Sequence, residues 1–319
     1  MRDPFRVLIV KTSSMGDVVH ALPAVSDMAR QRPDIVIDWL VEKSFAAIPE
    51  QHADVARVIP MQWRKWRKSL RDPQTRQAMD ACKAALRQHH YDLIIDLQGL
   101  LKSALFACVA RGVRVGYDWS SAREPLASLF YHRKAHVAKS LHAVDRCRQL
   151  AAHALGYAVP TTPPDFGLAA PLHVWQPAEG PFAVLIPCAS RPEKLWPHDD
   201  WVAVGQRLRQ QGWGVVVLWG SPDEQARAQA IAHACDGQVP PFLTVSQVIG
   251  TLAQAQVVVG LDTGMTHIAA ACGRSTLGLY CDHEPGLAGV TGPGRVVSLG
   301  GKGQVPPRQA VMEVLTSWL

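Results

Sequence analysis

The chain has 319 residues, 48% of them apolar and 19% charged, a balance that supports packed cores and excludes a disordered or fibrous protein. That length suits two α/β domains better than one. Charge is unevenly spread: residues 1–160 carry 24 Lys and Arg against 15 Asp and Glu, whereas residues 161–319 carry 9 against 12. The first half therefore points to an anionic partner, whether nucleic acid, a lipid surface or a phosphorylated substrate.

The opening MRDPFRVLIVKTSSMGD lacks a secretory layout, because its apolar run 7–10 is too short and Lys11 follows at once. No stretch approaches the roughly 18 apolar residues of a membrane span, which predicts a soluble or peripheral protein. Seven cysteines are scattered without CxxC spacing and read as reduced core thiols. The histidines show no metal pattern, and the pair His89-His90 reads as surface.

Residues 7–10 fit a buried parallel strand, ended by the turn-prone KTSSMGD, residues 11–17. A helix follows, carrying Val18, Val19, Leu22, Val25 and Met28 at three- and four-residue spacings, with Pro23 expected to tighten or restart it. Strands are predicted at 35–41 and 55–59, a helix at 73–90, and a strand at 93–97 that opens onto Gln98-Gly99 and a helix from Leu100. Such alternation implies a parallel sheet covered on both faces. The segment 158–180 holds five prolines and little periodicity, and reads as an interdomain linker. A second α/β unit then runs through strands at 182–186, 214–219 and 257–261. Its helices are predicted near 199–211, 222–234 and after Gly264, with a closing helix over 309–319.

Ligands of parallel α/β sheets bind beyond the carboxyl ends of the strands, and three turns in such places carry suitable residues. KTSSMGD reads either as a capped helix start or as a backbone opening with Asp17 offering a carboxylate. It lacks the spacing of a Walker loop, and the first turn has no GxGxxG. Asp262-Thr263-Gly264 leads from a strand into a helix bearing His267, and reads as a capped turn or as a diphosphate site built on helix amides. Ser190 and Lys194, after the strand at 182–186, suit a phosphate in the same way. A fourth segment, Trp63-Arg64-Lys65-Trp66-Arg67-Lys68, reads as a solvated helix face, a stacking platform for nucleic acid, or a grip on a membrane interface or anionic glycolipid. No DxD-like acidic pair stands where a metal would bridge a diphosphate.

The segments LIVKTSSMGDVVHALPAVSD, DLQGLLKSAL, SAREPLASLFYHRK and VVVGLDTGMTHIAAA together resemble the ADP-heptose glycosyltransferase family, and the likeness runs from about residue 6 to the C-terminus. The resemblance implies an α/β GT-B fold of two Rossmann-like domains facing a central cleft. Residues 1–165 would bind the acceptor and residues 166–319 the nucleotide sugar, with a helix at about 307–319 free to pack back on the first domain. It implies inverting transfer of L-glycero-D-manno-heptose from ADP-heptose to the Kdo region of the lipopolysaccharide inner core, as in Kdo2-lipid A. Asp17 matches the family's catalytic base. Ser190, Lys194, Glu224, Asp262, Thr263, Gly264 and His267 match its donor site, Glu224 holding the ribose hydroxyls. Arg64, Lys65, Arg67 and Lys68, with Lys102 and Arg123, match its basic acceptor patch. Related sequences carry two threonines where this one has Ala189-Ser190, which removes a hydroxyl at position 189; Leu243 falls near the adenine pocket.

An anionic, membrane-borne acceptor accounts for the basic first half better than nucleic acid does. The expected partners are therefore ADP-heptose, Kdo2-lipid A and the cytoplasmic face of the inner membrane, with no nucleic acid, no cofactor and no essential metal. Two other readings stay open: a family member that acts on an already heptosylated acceptor, and a nucleotide-sugar epimerase of the same architecture.

Overall fold

A computed structural model describes residues 4–171, 175, 177 and 180–319, so part of the linker predicted at 158–180 lies outside the described residues. The chain forms two units, Met1–Leu168 and Ala169–Leu319.

In the first unit the strands are β1 Phe5–Val10, β2 Ile35–Glu42, β3 Val55–Met61, β4 His90–Asp96, β5 Arg111–Tyr117 and β6 Arg133–Ala135. They form one parallel sheet in the order β3-β2-β1-β4-β5-β6. β1 is central, and its residues Val7 to Val10 are fully buried, as an apolar run covered on both faces must be. The chain order reverses between β1 and β4. That switch point opens a crevice at the strands' carboxyl ends, where the turns after β1 and β4 lie side by side.

The second unit repeats the scheme with β7 Phe182–Ile186, β8 Gly214–Val217, β9 Val257–Leu261, β10 Ser275–Tyr280 and β11 Val296–Gly300. Their order is β11-β10-β9-β7-β8, again parallel, with the reversal between β7 and β9. The turns after β7 and β9 are the two that carry the phosphate-suited residues.

Several elements depart from the sequence expectation. The helix Met15–Gln31 passes through Pro23 without restarting. Every residue from Val18 to Met28 is buried, so packing on both sides holds the helix where proline removes one of its hydrogen bonds. The helix Pro73–Arg87 ends earlier than expected, and β4 begins at His90 itself. The C-terminal helix Arg308–Trp318 packs into the second unit: Val311 and Leu315 are fully buried in the same core as Trp201 and Leu277. The apolar positions on one face of this helix match the β-sheet of its own unit. All seven cysteines are free thiols, and no helix among the described residues is long and apolar enough to cross a membrane.

Candidate functional site

In the first unit, β1 delivers Lys11 and the helix Met15–Gln31 delivers Asp17 at its first turn. Asp17 Oδ2 accepts hydrogen bonds from the Ser14 amide at 3.0 Å and the Ser14 hydroxyl at 3.1 Å. Oδ1 faces Arg123 Nη2 at 2.7 Å and Lys11 Nζ at 3.7 Å, and Arg123 Nη1 donates to Oδ2 at 3.3 Å. The two readings of KTSSMGD thus coexist, since one oxygen caps the helix while the other lies between two cations. Burial opposes ionisation of Asp17, but Lys11, Arg123 and the Ser14 amide outweigh it and hold the carboxyl well below the usual carboxylate range. The Asp17 side chain is 13% exposed and Lys11 5%, whereas Arg123 is 47% exposed.

The turn after β4 fixes this turn. Gln98 Oε1 accepts from the Thr12 amide at 2.6 Å and the Thr12 hydroxyl at 2.8 Å, and Gln98 Nε2 donates to the Ser13 carbonyl at 2.7 Å. Gln98 is held in turn by Asp96, which accepts from the amides of Gln98 and Gly99 and from the hydroxyls of Ser103 and Tyr131, all within 2.7–3.1 Å. Gly99 takes φ +68°, where a Cβ would also come within 3.0 Å of the Tyr117 ring. Sequence reasoning assigned no role to Lys11 or Gln98. Both stand beside recognisable turns, yet only the adjacency of β1 and β4, eighty residues apart, reveals their contacts.

In the second unit, Lys194 from the turn after β7 meets Asp262 from the turn after β9: Nζ lies 2.6 Å from Oδ2 and 3.3 Å from the backbone carbonyl. His267 Nε2 lies 3.6 Å from Asp262 Oδ1. Burial pushes the Asp262 carboxyl up, but His267 and Lys194 prevail and hold it well below its usual range. Thr263 caps the helix Gly264–Ala271 without a side-chain bond to its amides, so the first-turn N–H groups take no side-chain cap from it. Thr266 turns its hydroxyl inward to the Leu261 carbonyl at 2.6 Å, and only a glycine at 260 leaves it room. Glu224, in the first turn of the helix Pro222–Ala234, accepts the Gly220 amide at 2.8 Å through one oxygen. Ser190 is exposed at the end of β7. Arg227 donates to the carbonyls of Pro187 at 3.1 Å and Trp196 at 2.6 Å, bracketing the loop that carries Ser190 and Lys194. The sequence offered no signal for Arg227, which is one of several helix arginines.

The basic cluster divides by side. In the short helix Trp63–Trp66, Trp66 is 3% exposed in the core and Trp63 packs edge-on against Phe106 at 5.7 Å, while Arg64, Lys65, Arg67 and Lys68 are exposed. Trp66 anchors the helix in the core and Trp63 packs on Phe106, so the exposed face of this segment is carried by its basic side chains. Glu42, buried at the end of β2, accepts the amides of Trp63 at 3.2 Å and Arg64 at 2.9 Å. Lys102, in the helix Leu101–Ala107, has its pKa lowered first by burial, against the attraction of Glu42, and further by Arg64 and Arg67. Lys102, Arg64 and Arg67 therefore form one patch, while Arg123 belongs with Asp17.

Residues 79–312 match the family model described as glycosyltransferase family 9 (heptosyltransferase). The lipopolysaccharide heptosyltransferase 1 of Salmonella typhimurium is 44% identical over 287 residues, covering 89% of this chain and 90% of that one. A structure of the E. coli heptosyltransferase WaaC with ADP superposes with a TM-score of 0.90 at 40% identity, over 99% of this chain and 100% of that one. The same enzyme with ADP-2-deoxy-2-fluoro heptose gives 0.85 at 38% identity, over 98% and 99%. The fold is GT-B.

Proposed function

The chain belongs to glycosyltransferase family 9, the heptosyltransferases, and from that premise we propose that it transfers heptose from ADP-heptose to the Kdo region of a lipopolysaccharide inner core, with Asp17 as base and inversion at the anomeric carbon. The observation that carries this reading is the Asp17 carboxylate, 13% exposed at the β1–β4 switch point with Arg123 at 2.7 Å and Lys11 at 3.7 Å beside it.

The reaction follows from the chemistry of the two stations. An acceptor hydroxyl gives its proton to Asp17 as its oxygen bonds to the anomeric carbon. The bond from that carbon to the diphosphate breaks, and the electron pair leaves with ADP. Charge builds on the departing diphosphate, where Lys194, His267 and the open amides at Thr263-Gly264 form a preorganised cradle, often the largest source of rate enhancement. The Lys194–Asp262 pair must loosen for this, so donor binding exchanges one anion for another at the same ammonium. Glu224 has a second oxygen for the ribose hydroxyls. Ala189 supplies no hydroxyl, and backbone amides take its place.

Arg123 has a double part in the proposal. Its guanidinium lowers the basicity of Asp17 in the free protein, and an acceptor rich in carboxylates competes for it. When Arg123 turns to the acceptor, burial raises the Asp17 pKa, so the base strengthens only when its substrate is present. The patch of Arg64, Lys65, Arg67, Lys68 and Lys102 holds the rest of the anionic glycolipid, at the cytoplasmic face of the inner membrane.

The transfer proceeds without an essential metal. In support, the cationic cradle of Lys194, His267 and the helix amides meets the leaving charge itself. Activity should survive chelation; its loss, restored by a divalent ion, would overturn this part.

Incubation with ADP-heptose and Kdo2-lipid A, followed by mass and by ADP release, tests the whole reading. The expected product is acceptor plus one heptose with equimolar ADP. Transfer only to a heptosylated acceptor would assign the chain to a later step, and donor turnover without acceptor would indicate an epimerase.

A further inference from the structure

Three short helices follow strands of the first unit and stand at the carboxyl edge of its sheet, the edge that carries Asp17. Trp63–Trp66 follows β3, Leu101–Ala107 follows β4, and the 3-10 helix Pro125–Phe130 follows β5. The middle helix joins the other two. Phe106 packs on Trp63 on one side, and Ala104 packs with Ala127 and Tyr131 on the other. The small residues at that second contact bring the helices close and leave their leucines outside. Leu105 is 49% exposed, Leu126 53% and Leu129 64%. In a 3-10 helix residues three apart eclipse, so Leu126 and Leu129 share one outward line. On the α-helix, Leu105 lies one turn from Lys102, on the same face.

We propose that this edge is a membrane-docking surface, in which Leu105, Leu126 and Leu129 enter the headgroup layer of an anionic bilayer while Arg64, Arg67 and Lys102 meet its phosphates.

Composition and size favour a bilayer over a protein partner. Three half-exposed leucines offer on the order of 300 Å² of apolar surface, well short of the roughly 800 Å² per side that stable protein interfaces bury. An interfacial site needs no more than a few apolar side chains ringed by basic ones. Basic side chains lie along the same row of helices. The acidic groups near this edge are engaged: Glu124 accepts the Leu101 amide at 2.6 Å, Glu42 the amides of Trp63 and Arg64, and Asp17 is paired with Lys11 and Arg123. None of the three leucines belongs to the core clusters around Trp66 or around Ala104, Ala127 and Tyr131 among the described residues.

The inference rests on the membrane-borne acceptor proposed above and names the surface that would meet it. Its test does not depend on that acceptor. The full chain is mixed with vesicles of phosphatidylethanolamine and phosphatidylglycerol, or of phosphatidylcholine alone, and sedimented. Wild type should partition onto the anionic vesicles and less as salt rises. Leu126→Asp/Leu129→Asp should bind them at least tenfold more weakly, and Leu126→Ser/Leu129→Ser should lie between. Leu287→Asp, an equivalent change at an exposed leucine of the second unit, should bind as wild type. ADP affinity and thermal midpoint, measured on every variant, confirm that each is folded.

Wild type that ignores anionic vesicles, or a double aspartate variant that binds like wild type, overturns the proposal. So does a wild-type dimer that the leucine variants convert to monomer in sedimentation, which would make the surface an interface between copies. Transfer to a deacylated, water-soluble acceptor separates the two ideas. If wild type binds vesicles but transfers heptose neither to that acceptor nor to Kdo2-lipid A, the functional reading fails and the docking surface stands.

Discussion

Asp17 is asked to be a base while two cations keep it a weak one. A base well below the operating pH is always ionised but gains little from proton transfer until late in the reaction, so positioning must contribute much of its effect. Asp17→Asn keeps an oxygen for the Ser14 amide and hence the helix start, and loses the proton acceptor. Turnover should fall by about 10²–10⁴-fold, with ADP affinity unchanged by calorimetry; wild-type turnover would reduce Asp17 to a cap. The pH profile gives a second test. Because the folded pKa is depressed, base function is present above it and lost only as pH falls through it. The profile of kcat/KM should therefore show no Asp17 limb above the usual carboxylate value of about 4. Arg123→Gln removes one of the opposing charges and lets burial count, so an acid limb should appear at higher pH than in wild type. An unmoved limb would mean that Arg123 does not tune this carboxylate.

At the scale of elements, the strands and their turns were legible because buried parallel strands are apolar throughout and their turns are polar. β5, β6, β10 and β11 escaped notice. β5 interrupts its apolar residues with Arg111, Arg114 and two glycines and is exposed over its first half, and β6 has only three residues, Arg133–Ala135. The candidate turns were found for the same reason as the strands, but their internal wiring was not, since no local pattern in Gln98 or Arg227 shows which carbonyl eighty or forty residues away each will meet. Gln98→Leu should show what that wiring does. It strips partners from the Thr12 amide and hydroxyl and from the Ser13 carbonyl, each costing about 1–3 kcal/mol when buried. We expect a lower thermal midpoint and a fall in kcat at saturating substrates, with ADP affinity intact because the proposed donor residues lie in the other unit. Gln98→Glu keeps the acceptor for Thr12 and should recover part of kcat. A loss of activity that only tracks the folded fraction would make Gln98 structural. The basic helix divides just as clearly. Trp66→Ala should destabilise by about 3–5 kcal/mol in denaturant unfolding, whereas Arg64→Ala should stay within about 0.5 kcal/mol. Equal effects would contradict the separation of anchor from patch.

For the molecule as a whole, the two halves solve the problem of binding an anion in different ways, and salt can tell them apart. Residues 161–319 carry 9 basic against 12 acidic side chains, so no long-range attraction draws a diphosphate there. In the proposed reaction its capture depends on contacts within a few ångströms, at Lys194 and the amides of Gly264–Ala271, where screening over a Debye length of about 10 Å at 0.1 M salt has little to act on. Residues 1–160, with 24 basic against 15 acidic, attract by field as well as by contact. Replacing Arg64, Lys65, Arg67 and Lys68 together by Gln should therefore raise the KM for the glycolipid acceptor about tenfold at low salt and flatten its dependence on ionic strength. The KM for ADP-heptose, and its weaker salt dependence, should not change. Lys194→Ala should do the reverse, weakening the donor complex at every salt concentration and leaving the acceptor's salt slope as in wild type. Parallel shifts of both KM values in the quadruple variant would mean that the cluster acts on stability or folding rather than on the acceptor. An unaltered acceptor slope would remove it from binding, because exposed charges that meet a polyanion cannot be deleted without loss of their share of the screening.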